Sequence, residues 1–328
     1  MVDRLSRREF LAGASATAAW AASTDDASKP IPTRTLGKTG AKVTILAMGC
    51  GSRLLVYEQE DKALEALNLA FDLGVRYFDS AYGYGNGKSE TWVGKALKQR
   101  RREVFLVTKI NERDPEKARR ILEESLKRLQ TDHLDLIHIH ALGNEADLAR
   151  VEAKGGVLEV LYKLRDQKVT RFIGMTSHTD PAALRAAIER HDIDCVQMAL
   201  NAALQGMQDG KGKMILNPAM KTSFEQVALP AARKKNLGIL AMKAMGQEEL
   251  LGAGPHKSDP AKLLQYTLSL PVATAVVGMP KLEFIRQNVA WAKAFKPMPA
   301  AERREFSQRL AGANKLALDL KFRDHVDG

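Results

Sequence analysis

From residue 42 onward the chain alternates short β-rich apolar runs with longer helical patterns, eight times over. The strand-like runs are residues 42–51, 75–81, 104–110, 134–142, 171–178, 194–201, 237–246 and 274–279. Between them lie segments such as "DKALEALNLAFDLG" and "PEKARRILEESLKRLQ", with apolar residues at helical spacing. Near-continuous apolar strands separated by helices imply a parallel sheet covered on both faces. Eight units predict a closed (β/α)8 TIM barrel rather than an open doubly wound sheet. An open sheet built for a dinucleotide would carry G-x-G-x-x-G after its first strand, and "GCGSRL" lacks the third glycine. Two connections are long, residues 202–222 and 142–156. Both follow strands, so both are expected on the catalytic rim, the first as a lid or wall facing substrate.

Composition narrows the partners. Apolar residues make up 45% of 328, enough for a full core. No apolar run approaches the ~20 residues of a spanning helix, which argues against stable membrane insertion. A net charge of +11 admits a nucleic-acid binder or a solvated basic surface. The second reading is preferred, because the cations are scattered over helices and no nucleic-acid motif accompanies them. The one dense run, Lys98 to Glu103, ends a helix, where cations suit the dipole. Cys50 closes one strand and Cys195 opens another, on opposite rims of a barrel, so two free thiols are expected.

Residues 1–22 are unlike the rest. A basic head of Arg4, Arg7 and Arg8 precedes an alanine-rich apolar stretch and the small-x-small pattern Ala19-Trp20-Ala21. Ser6-Arg7-Arg8-Glu9-Phe10-Leu11 resembles the twin-arginine (Tat) export signal. That resemblance implies delivery of a folded protein by the Tat export machinery, with a periplasmic destination. The expected organisation is a Tat signal over 1–22, a flexible spacer over 23–32, and one barrel domain over 33–328 with a C-terminal helical extension.

Barrel enzymes hold their reactive groups at the C-terminal ends of strands. Three successive strands here end in Asp79, Lys109 and His140, and Tyr84 follows Asp79 in the glycine-rich turn "YGYGNG". A phenol is a poor acid near neutrality, with a pKa of about 10. A neighbouring ammonium is expected to lower that value, and an aspartate would keep the lysine in place and charged. Histidine on the next strand could orient a bound carbonyl oxygen. Tyr84 is then the proton donor to a carbonyl, or the acceptor in reverse. No residue is a source of hydride, so a cofactor must supply it.

"GVRYFDSAYGYG" resembles the aldo-keto reductase signature G-x-R-x-x-D-T-A-x-x-Y-G, with Ser80 in place of threonine. The likeness runs from about Thr33 to Lys296, and Asp79, Tyr84, Lys109 and His140 fall on the family's catalytic tetrad. It implies a nicotinamide cofactor, usually NADPH, and a small aldehyde or ketone as substrate. It also implies cofactor contacts. Ser177 and Gln197 match positions that hold the carboxamide, with His178 replacing the family's asparagine. Met242 stands where a tyrosine usually stacks on the nicotinamide, and Lys243 beside it would face the diphosphate. Gln287 and Asn288 match a pair that contacts adenine. Gly278 and Phe284 stand where many members carry the lysine and arginine for a 2′-phosphate. Lys281 or Arg286 would take that charge, and NADH stays open as an alternative.

Two other readings share these residues. His138 and His140 lie on one strand face, and H-x-H with Lys109 and His178 could serve a metal-dependent hydrolase. The order of the strands argues against it, and no metal is expected. A nucleotide-sensing protein without catalysis would keep the same cleft.

Overall fold

The computed structural model describes residues 29–210, 214–217 and 219–322. The export signal expected over 1–22, most of the spacer, and the last six residues of the barrel domain lie outside the described residues.

Eight parallel strands close into a barrel: β3 (Leu46–Gly49), β4 (Tyr77–Asp79), β5 (Phe105–Ile110), β6 (Leu134–Ile139), β7 (Thr170–Ser177), β8 (Cys195–Ala199), β11 (Gly238–Met242) and β12 (Thr274–Val277). The last, β12, pairs back onto β3 through Val276 and Ala47. Helices follow the strands: α1 (Ser52–Leu55) and α2 (Glu60–Asp72), α3 (Lys88–Leu97), α4 (Pro115–Leu129), α5 (Glu145–Val151) and α6 (Val157–Asp166), α7 (Pro181–Arg190), α8 (Ala228–Lys234), α9 (Pro260–Leu268) and α10 (Leu282–Lys293). The last of the described helices is α11 (Ala300–Phe322). Three helices begin with Asp-Pro. Asp114, Asp180 and Asp259 each accept a backbone N–H of the first turn, and the proline behind each removes a donor that would otherwise be orphaned.

The first expected strand is in fact two. β2 (Lys42–Thr44) pairs antiparallel with β1 (Thr33–Thr35), and only Leu46–Gly49 joins the barrel. The chain turns at Ile45, where the Thr44 hydroxyl donates to the Leu46 carbonyl at 2.9 Å. Nothing in the sequence marks this break, because Val43 to Leu46 are buried on both sides of it, and the hairpin's Leu36 and Val43 floor the barrel.

Two cores follow from the two-residue strand period. Ala47, Tyr77, Phe105, Val107, Leu136 and Leu240 fill the barrel's lower interior. Phe78, Ile137, Ile173 and Met198 face outward and pack with the helices. Full burial of each large apolar side chain stabilises by about 1.5–3 kcal/mol. Parity also decides the upper layer. Because Tyr77, Val107 and Leu136 point inward, so do Asp79, Lys109, His138 and His140 one or two steps further along.

Both long connections carry structure of their own. Residues 142–156 contain α5, capped by the Asn144 side chain. Residues 202–222 contain a hairpin, β9 (Met207–Asp209) with β10 (Met214–Leu216).

Candidate active site

Asp79 ends β4 and Lys109 lies on β5, both fully enclosed, and they form an ion pair. The Lys109 ammonium also donates to the Ser80 carbonyl at 2.8 Å. Tyr84 sits on the turn after β4. Gly85, Asn86 and Gly87 all take left-handed φ there, which is why the sequence reads Gly-Asn-Gly. Ser89 ties this turn to the end of β3, donating to the Cys50 carbonyl at 2.6 Å. The Lys109 Nζ lies 5.1 Å from the centre of the Tyr84 ring. The His140 ring meets Tyr84 edge-on at 5.6 Å, and His178 lies 6.3 Å beyond His140. Gly51 leaves the room: a Cβ there would stand 3.3 Å from Tyr84 Cζ.

Burial dominates the electrostatics. It raises the Tyr84 pKa, and the downward pull of Lys109 does not cancel it. The expectation that the ammonium would bring the phenol below its ordinary value is therefore corrected: the pull exists, and enclosure outweighs it. Burial works against the Lys109 charge too, but Asp79 and Tyr84 together raise its pKa. The His140 imidazole is held well below its usual range by burial and by Lys109. Burial and Lys243 bring His178 to about 3. The floor thus holds an ammonium, a protonated phenol and two neutral imidazoles.

These groups open into a cleft of 2310 Å³ that reaches past β12 to Asn288, Trp291 and Glu302. Most of the expected cofactor residues line it: His178, Gln197, Met242, Lys243, Gly278, Gln287 and Asn288. Three buried polar atoms on these side chains have no hydrogen-bond partner among the described residues: His178 Nδ1, Gln197 Oε1 and Asn288 Oδ1. Unmet polar atoms near both ends of a long cleft fit a long ligand with a polar group at each end, as a dinucleotide has.

Two expected residues stand elsewhere. Ser177 pairs with Met198 on the helix-facing side of the sheet. Its hydroxyl donates to the Leu142 carbonyl at 2.8 Å and it does not line the cleft. Lys281 is outside the lining, with its ammonium 5.6 Å from the Phe284 ring, which does line it. His138 lies beneath His140 and packs on Gly174, where a Cβ would come within 2.7 Å of its Nδ1. Among the described residues no group of three His, Cys, Asp or Glu side chains could hold a metal ion.

The sequence profile of the Aldo/keto reductase family matches residues 47–263. The chain belongs to that family. This aldo/keto reductase is therefore an oxidoreductase. It is 27% identical over 296 residues to the uncharacterized oxidoreductase YqkF of Bacillus subtilis, covering 80% of this chain and 91% of that protein. The aldo-keto reductase AKR11C1 of Bacillus halodurans, solved in its holo form, superposes with a TM-score of 0.68 at 24% identity, covering 86% and 96% of the two chains. An aldo/keto reductase of Klebsiella pneumoniae, solved with NADP and acetate, gives 0.62 at 22% identity, covering 85% and 95%. Both solved structures share the fold.

Some cleft residues of this reductase escaped sequence reasoning. Arg53 follows the end of β3, pairs with Glu248 at 3.1 Å, and packs where a Cβ on Gly278 would sit. Residues 243–259, after β11, form much of one wall. The signal for Arg53 was its place just beyond a strand end, in "GCGSRL". Beyond Lys243 the wall carried little signal: Gly246, Gly252 and Gly254 take positive φ, but so do Gln247 and Glu248, which no turn pattern marks.

Proposed function

We propose that this chain reduces an aldehyde or ketone, or oxidises the matching alcohol, with Tyr84 as the proton donor and NADPH bound in the cleft. The observation that carries the reading is the enclosed Asp79–Lys109 pair beneath the Tyr84 ring, with His140 edge-on to that ring at the cleft floor. The nucleotide supplies the hydride when bound. Gln197 and His178 would hold its carboxamide through their unmet atoms, with Met242 beneath. Arg53 and Lys243 would meet the diphosphate, and Asn288 the adenine. The Klebsiella relative solved with NADP supports the choice of nucleotide.

Because burial raises its pKa, Tyr84 keeps its proton at neutral pH and can give it to a carbonyl oxygen. Lys109 then faces a phenolate and stabilises it, and Asp79 keeps Lys109 charged. A neutral His140 can donate an N–H to the same carbonyl oxygen and orient it. In the oxidising direction the same groups accept.

The test is Tyr84→Phe against a panel of small aldehydes. Turnover is expected to fall by about 10²–10⁴-fold, with NADPH affinity, read by quenching of tryptophan fluorescence, unchanged. Full turnover by the variant refutes the role of Tyr84. Tight nucleotide binding with equal, negligible rates in both proteins favours a sensing role.

We also propose export through the Tat pathway, supported by Arg7-Arg8 ahead of Phe10-Leu11. Residues 1–32 fused to a folded reporter should carry it to the periplasm. The fusion with Arg7→Lys and Arg8→Lys should stay behind, and export of both alike refutes the proposal.

A further inference from the structure

We infer that Arg113 is a positioning residue for His140, acting through the backbone of the turn that follows β6. The inference rests on the reading of His140 as the group that orients the carbonyl. Among the described residues the His140 imidazole makes no hydrogen bond. Its aim is set by its contacts with the Tyr84 and His178 rings and by the direction of its own backbone.

That direction is unusual. The residue after it, Ala141, takes φ +54, a left-handed conformation that an L side chain rarely adopts without support. The support comes from two sides. From β7, the Thr176 hydroxyl accepts the Ala141 N–H at 2.8 Å, and the Thr176 carbonyl accepts the Leu142 N–H at 2.7 Å. From the loop after β5, Arg113 Nη2 donates to the His140 carbonyl at 3.0 Å and leans toward that of Ala141 at 3.4 Å. The guanidinium is itself fixed. Nε and Nη2 grip the two oxygens of Asp147 at 3.0 and 2.8 Å, and both side chains are nearly enclosed, 13% and 10% exposed. Asp147 also accepts the Gly143 N–H at 3.1 Å, closing the ring of contacts around residues 140–143.

A planar fork suits this task. It holds a carboxylate with one edge while its remaining N–H groups reach carbonyls, which a lysine ammonium cannot match in geometry. Without the fork, the peptide after His140 is free to leave its left-handed turn, and the imidazole turns with it. An error of about 1 Å at an orienting group costs up to about 100-fold in rate.

The experiment is a double-mutant cycle on kcat for aldehyde reduction, using Arg113→Met, His140→Ala and the pair. Arg113→Met is expected to lower kcat about 10- to 100-fold, with NADPH affinity unchanged. In the His140→Ala background the same change should cost less than about twofold, because the group it aims is gone. Arg101→Met is the control. Arg101 likewise binds an aspartate, Asp135, and the backbone carbonyls of His133 and Val104, at the opposite rim. Its loss should lower thermal stability and leave kcat within about twofold. Equal losses in both His140 backgrounds, no loss in either, or an equal loss in Arg101→Met overturns the inference. Should Arg113→Met not fold, Arg113→Lys goes through the same cycle under the same criteria. Failure of the underlying reading shows separately, as an undiminished kcat in His140→Ala alone.

Discussion

If Lys243 meets the nucleotide's diphosphate as proposed, nucleotide affinity should depend on pH in a window that the other groups named at the cleft floor do not share. Its ammonium is buried beside Arg53 and Lys109, and burial first, then those cations, bring its pKa down to about 8. Relative to an ordinary lysine this is a cost of about 3 kcal/mol for carrying charge in the empty cleft. A bound diphosphate removes that cost and raises the pKa again. The sign follows: affinity is full below pH 8 and falls as the pH rises through it. If binding returns Lys243 to the ordinary lysine value of about 10.4, then, with roughly nine-tenths of the empty cleft's Lys243 charged at pH 7 and about one-tenth at pH 9, Kd should rise about tenfold between them. Binding at pH 9 should take up about 0.9 proton, and at pH 7 about 0.1. Tyr84 and Lys109 titrate higher, and His140 and His178 lower, so this window belongs to Lys243. The assay is calorimetry of NADPH binding at pH 7 and pH 9 in buffers of different ionisation enthalpy, with Lys243→Met beside the wild type. The variant should bind about 10- to 100-fold more weakly at pH 7 and show no pH slope. An unchanged slope in Lys243→Met refutes the assignment.

Three further outcomes follow from the packing. Asp79→Asn leaves the Lys109 charge buried without its partner, so unfolding in urea should show a loss of about 3–5 kcal/mol. Gly94 lies on α3 against the carbonyl of Arg128, and a Cβ there would collide with it. Gly94→Ala should therefore cost about 1–3 kcal/mol, a fall of several degrees in Tm. Cys50 and Cys195 are both fully buried, and burial raises both thiols above their ordinary range. Neither should react with a thiol reagent at pH 8 until denaturant is added, and fast labelling of the native protein contradicts the packing.

The strand–helix alternation and the residues at strand ends were legible because both are local. A strand's period of two places Asp79, Lys109 and His140 inward once Tyr77, Val107 and Leu136 are assigned to the barrel interior. The turn that presents Tyr84 announces itself by its glycines. Ser177 shows where that logic runs out. It sits one residue past an inward Thr176, and a single step of register turns its hydroxyl from the cleft to the Leu142 carbonyl. The break after Thr44 stayed hidden because the residues on both sides of it, Val43 to Leu46, are all buried. Arg113 was equally silent, since its partners His140 and Asp147 come from another strand and another helix.

The sequence by itself determined the eightfold architecture, the four groups at the cleft floor and the kind of chemistry they suit. Only the tertiary structure decided which loop walls the cleft, which arginines serve it, and that Tyr84 holds its proton more tightly than a free phenol. Order along the chain dictates periodicity and strand-end chemistry. Solvent exclusion and the left-handed turn after His140 exist only once distant segments enclose them.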